Sequence, residues 1–118
     1  MRVNFTHSEV TKGILRKTAH PVVIVSVTFS EEERALIERE KYGGYVLLEC
    51  VPYNARADRD ERIYYLYVRN LLNGSYEFMA ENNVDAKNFE EAVVDKLKLL
   101  KVHLEEGSSA ATSKTVEI

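Results

Sequence analysis

The chain opens on a strict alternation. Val3, Phe5 and His7 alternate with Asn4, Thr6 and Ser8, the two-residue period of a strand. Gly13 marks a turn, and Ile14 to Thr18 reads as a short second strand. Pro21 then begins Val22-Val23-Ile24-Val25-Ser26-Val27-Thr28-Phe29, a run dense in β-branched residues and the clearest strand in the chain. Proline at a strand's first residue costs the ladder only a terminal donor. Tyr45 to Val51 predicts a further strand, closed by Pro52, and Tyr53 to Glu61 reads as a charged loop. Ile63 to Asn70 predicts another strand. Asn73-Gly74 signals a two-residue hairpin returning through Ser75 to Ala80, since a type I′ turn needs φ > 0 at both central residues.

Two segments carry helical signals. Ser30-Glu31-Glu32-Glu33 fits a capping box, with three carboxylates at the positive end of the helix dipole. This helix should run to about Lys41 and stop at Gly43-Gly44. A longer helix is expected from Asp85 or Asn88 to Glu106, where Phe89, Val93, Leu97, Leu100 and Leu104 fall on one stripe. Gly107 should end it, leaving residues 107–118 as a flexible tail behind a single domain of residues 1–106. The fold class that follows is α+β. One mostly antiparallel sheet of about five strands is expected, in the order β-(β)-β-α-β-β-β-α, with the long C-terminal helix on one face.

The hairpin permits a parity argument. If Asn73 and Gly74 form the loop, Leu71 faces Tyr76 and Arg69 faces Phe78, and residues directly opposite share a face. Ile63, Tyr65, Tyr67, Arg69, Leu71, Tyr76 and Phe78 then lie on one face, and Tyr64, Leu66, Val68, Leu72 and Met79 on the other. Both faces are apolar or aromatic, more surface than two helices can cover. A homodimer, through an apolar sheet face or an edge, is the expected cover. The alternative is that the short helix and the N-terminal segment cover the second face within one chain.

Composition narrows the class. The 118 residues are 45% hydrophobic and 30% charged, which is globular. A net charge of −3 gives no global attraction to nucleic acid or anionic membrane. The longest strongly apolar run, Pro21 to Val25, is far too short to span a bilayer, and no secretion signal opens the chain. Cys50 is the single cysteine, so no internal disulfide can form, and a reducing cytoplasmic setting is expected.

Candidate chemistry is sparse. His7, His20 and His103 have no metal-ligand spacing, and no phosphate loop, dinucleotide fingerprint or nucleophile elbow is present. No catalytic residue, metal or cofactor is assigned. Lys96 and His103, seven residues apart beside the apolar stripe, are candidates for a pocket between helix and sheet. Tyr65, Tyr67 and Arg69, spaced two apart, would form a platform of the kind on which single-strand binders stack bases. The first 30 residues add a local charge of +3, from Arg2, Lys12, Arg16 and Lys17 against Glu9. Arg56, Arg59 and Arg62 punctuate the charged loop and extend this candidate surface. The leading expectation is a non-catalytic binding or regulatory module, self-associating and able to hold a protein partner. Binding of single-stranded nucleic acid is second, and a small enzyme with a helix–sheet pocket third.

Overall fold

A computed structural model of the chain describes residues 1–12, 18–59 and 62–113. It is an α+β fold in which antiparallel sheet is backed by a long C-terminal helix. Strand β1 (Arg2–Lys12) pairs along its whole length with β2 (Thr18–Thr28), from Arg2↔Thr28 to Lys12↔Thr18. Helix α1 (Glu31–Arg39) and a single 3-10 turn at Tyr42–Gly44 lead to β3 (Val46–Cys50). Helix α2 (Tyr53–Ala57), β4 (Tyr64–Tyr67), helix α3 (Val68–Leu72), β5 (Ser75–Met79) and α4 (Asn83–Ser113) complete the order. The five described strands form two sheets, β1-β2-β5 and β3-β4, rather than one.

The expected hairpin between β4 and β5 does not form. Val68 and Leu71 are both buried, and their three-residue spacing suits one face of a helical turn. The Asn70 side chain accepts the Tyr67 N–H at 2.8 Å, which caps that turn. Asn73 then closes α3 at φ −100°, whereas a type I′ turn needs positive φ there. Strand β5 therefore leaves β4 and pairs with β2, from Val22↔Met79 to Ser26↔Ser75. The parity drawn through Asn73-Gly74 falls with the hairpin.

The true register separates the faces cleanly. Val3 and Phe5, Val23, Val25 and Val27, and Tyr76 and Phe78 share the inner face. The expected α4 stripe packs there, and the Phe78 and Phe89 rings stack at 4.2 Å. Asn4, Thr6, Ser26, Ser75 and Glu77 share the outer face with half-buried Ile24, so this side is mostly polar, as in a sheet with one solvated face. Its buried end, at His20 and Val22, lies beneath α2, whose Tyr53 ring stacks on His20 at 4.4 Å. The three-stranded sheet thus lacks the second apolar face on which a face-to-face homodimer would depend. The segment expected to be a loop supplies the cover instead.

Several boundaries move. The Ser30–Glu33 box forms as expected, with Glu33 N–H donating to Ser30 Oγ and Ser30 N–H to the Glu33 carboxylate. Lys41 takes φ 59° before the 3-10 turn, so α1 ends two residues before Lys41. Helix α4 starts at Asn83 because Asn82 caps Asp85 N–H at 2.9 Å, while the Asp85 carboxylate accepts Glu81 N–H at 2.8 Å. Asn88 is interior, and the helix continues past Gly107, so the segment expected as a tail is helical as far as Ser113. The expected turn at Gly13, and the strand expected over Ile14 to Thr18 apart from Thr18 itself, lie outside the described residues; Thr18 belongs to β2.

Pro21 is the fourth residue of β2, not the first. Its carbonyl accepts the Ala80 N–H at 2.8 Å, so the polar groups of Pro21 point toward β5. The missing donor therefore costs the β1–β2 ladder nothing. His20, just ahead of where this strand was expected to begin, is a buried strand residue whose Nδ1 donates to the Glu81 carbonyl at 3.1 Å.

Candidate functional site

Tyr65 and Tyr67 come together on one exposed face of β4, with ring centroids 6.1 Å apart. They share it with Val46 and Glu49, the register partners of Tyr67 and Tyr65. The register slips between Val46 and Leu48, and the extra residue, Leu47, is buried in the core. That bulge keeps Val46 outward while Leu47 and Leu66 anchor the strands beneath. Val46 is 38% exposed, Tyr65 43% and the neighbouring Ile63 51%, which makes the hairpin face an open apolar patch.

Arg69 reaches this face from an unexpected element. It lies on α3 rather than on the strand, and its guanidinium carbon sits 4.0 Å above the Tyr67 ring centroid. That is close cation–π geometry. Among the described residues no carboxylate pairs with Arg69. The sequence thus identified the three residues, but placed the arginine on the strand by a parity that does not hold. Ile63 was placed on this face from the sequence; Val46 and Glu49 were not singled out, because their position depends on the bulge and on the β3–β4 pairing.

The other arginines do different work. Arg56 on α2 is bound to Asp85 at 2.5 Å, lies 3.8 Å from Glu81 and sits over Tyr53. It ties α2 to the start of α4. Arg59, at φ 55°, is exposed just beyond the end of α2, and Arg62 is exposed ahead of β4. Asp60 and Glu61, at the end of the segment expected as a charged loop, lie outside the described residues.

Lys96 is exposed, while His103 is half-buried with its ring 6.2 Å from Tyr45 and Nδ1 3.9 Å from Glu106. Neither lines the grooves at β1–α4, at Met1–α1 or beside α3. Cys50 is half-buried, with Sγ 3.2 Å from Tyr76 Oη. Burial pushes the thiol up, opposed by the Tyr76 hydrogen bond. Burial also pushes the Tyr76 phenol well up, reinforced by Cys50. Such a thiol is poor in thiolate at neutral pH and is a packing group, not an activated nucleophile. Among the described residues no cluster of three or more His, Cys, Asp or Glu side chains could hold a metal ion.

A second open surface is made of backbone. Strand β1 is the end strand of its sheet. The Pro21 carbonyl points toward β5, so odd residues of β2 face β5 and even ones face β1. The even residues of β1, paired with even residues of β2, therefore bond to β2. The N–H and C=O groups of Val3, Phe5, His7, Glu9 and Thr11 point to the open edge. Beside this edge runs a groove of about 650 Å³ lined by Phe5, His7, Glu90, Glu91, Val94, Asp95 and Lys98. His7 Nε2 contacts the Glu90 carboxylate across it.

Fold and surface together define a small α+β domain whose open features are an aromatic–arginine face and a strand edge. Comparison with known protein families, curated proteins and solved structures finds no match for this chain. Among the described residues no helix is long and apolar enough to cross a membrane.

Proposed function

We propose that this protein is a non-catalytic binding module that holds a protein partner on the exposed face of the β3–β4 hairpin. The observation that carries this reading is Arg69. Its guanidinium is held on Tyr67 at 4.0 Å, with no carboxylate paired to it among the described residues and with exposed Val46, Ile63 and Tyr65 nearby. Tyrosine and arginine are the residues that most often anchor interfaces, because both bury much surface while keeping a directional polar group. Little side-chain freedom remains for Arg69 to lose on binding. The partner this face suits is a protein segment offering a carboxylate to Arg69 between apolar side chains for Val46 and Tyr65. Cys50, a protected thiol, is in keeping with a cytoplasmic setting.

The nucleic-acid reading is weaker on two counts. Arg69 already occupies a face of Tyr67 that a base would stack on, and exposed Glu49, opposite Tyr65, repels phosphate. Peptide display against the immobilised full chain tests the choice. Sequences with a carboxylate flanked by apolar residues should be enriched, and Arg69→Ala should weaken their binding by about tenfold or more, the scale of one charged hydrogen bond. No enrichment, or binding indifferent to both Arg69→Ala and Tyr65→Ala, contradicts the proposal. A salt-sensitive shift of labelled single-stranded oligonucleotide, lost in those variants, would favour the nucleic-acid reading.

A further inference from the structure

We infer that the open edge of β1 pairs with β1 of a second copy of this chain, joining two three-stranded sheets into one continuous sheet across a two-fold axis beside Phe5. The chemistry of the edge asks for a strand. Val3, Phe5, His7, Glu9 and Thr11 present donors and acceptors at alternate residues, and only another extended backbone meets such a row. Edges of this kind are ordinarily shortened, bulged, interrupted by proline or covered. Strand β1 is 11 residues long, contains no proline and pairs with β2 without a register shift. Among the described residues no strand lies on its other side.

Charge selects a second copy over a foreign strand. Helix α4 runs antiparallel to β1, since His7 meets Glu90 while Met1 shares a groove with Lys101. Along the flank of α4 beside β1, Lys87 is followed by Glu90, Glu91 and Asp95, then by Lys98 and Lys101, with Glu105 beyond them. A two-fold axis reverses one flank against the other. Placed beside Phe5 and Val94, the axis sets Glu90 and Glu91 toward Lys98 of the second copy.

The same register suits the strands. Phe5 faces Phe5, Val3 faces His7, Asn4 faces Thr6 and Arg2 faces Ser8, so no like charges stand opposite. An axis beside His7 would set His7 against His7. Half-buried Phe5 and Val94 lie at the centre, where the second copy closes over them.

Sedimentation equilibrium of the full chain at micromolar concentration should return twice the 13.5 kDa chain mass. A single-chain mass overturns the inference. His7→Pro removes a donor on the open edge but none from the β1–β2 ladder. The variant should keep its far-UV circular dichroism and fall to one chain. A folded variant that stays two-chain shows that the edge is not the contact. Cysteine pairing reads the register independently, in a Cys50→Ser background. Hydrogen-bonded antiparallel partners sit about 5.5 Å apart at Cα, within disulfide reach. Phe5→Cys should oxidise to a covalent dimer, and His7→Cys, facing Val3, should not. The reverse pattern, or no cross-link in either, overturns the proposal.

Discussion

At the scale of single residues, Ser30, Glu33 and Cys50 couple the fold to pH. Burial alone would raise the Glu33 carboxyl. The Ser30 amide and the Met1 ammonium at 3.0 Å outweigh it and hold the group below its ordinary value of 4.5. A lowered carboxyl stabilises the fold above that value and stops doing so as pH falls through the folded one. Ser30→Ala should cost about 1 kcal/mol in urea unfolding at neutral pH, and acid should erode less stability in the variant than in the parent. Equal stabilities would mean that the cap is idle. Cys50 and Tyr76 act at the other end of the scale. Both are raised, so the unfolded chain loses these protons first. Stability should fall as pH climbs past the ordinary thiol value of 9.0 and phenol value of 10.0. Maleimide labelling of Cys50 at neutral pH should be at least about tenfold slower in the native protein than in denaturant. Matching rates would show an open thiol.

At the scale of elements, what the sequence disclosed divides by the range of the interaction. The α1 cap is readable because Ser30 and Glu33 are three residues apart and need nothing else. The α4 stripe is readable because its period is its packing, and all five stripe residues are in the core. Phe89→Ala, which breaks the stack on Phe78, should therefore cost about 3–5 kcal/mol in denaturant unfolding. A loss below 1 kcal/mol would place the core elsewhere. The partition into two sheets was not readable. Asn73-Gly74 carries a hairpin signature, but the buried pair Val68 and Leu71 and the cap from Asn70 turn the preceding residues into α3. Tertiary burial overrode a two-residue preference and moved Arg69 from strand to helix. Helix α2 was hidden for a similar reason. Its single buried residue, Ala55, gives no period, and what holds it is Tyr53 on His20 and Arg56 on Asp85, both distant in sequence.

At the scale of the whole molecule, one set of side chains faces inward and two surfaces remain unmet. The outer face of the three-stranded sheet is polar over most of its area and covered by α2 at its apolar end, so that sheet leaves little apolar surface to argue for a partner. The face around Arg69 and the edge of β1 take its place. Joined through β1, two copies would display two Arg69 faces, and a divalent target would gain avidity without any new contact. Amide exchange along β1 is the most direct measurement of whether the molecule works through its open backbone. The even residues Asn4, Thr6 and Ser8 are protected by β2 in any case. Slow exchange at Val3, Phe5 and His7 as well is the result the paired edge predicts. An alternation, with these three exchanging at the rate of exposed amides at concentrations well above micromolar, would contradict it.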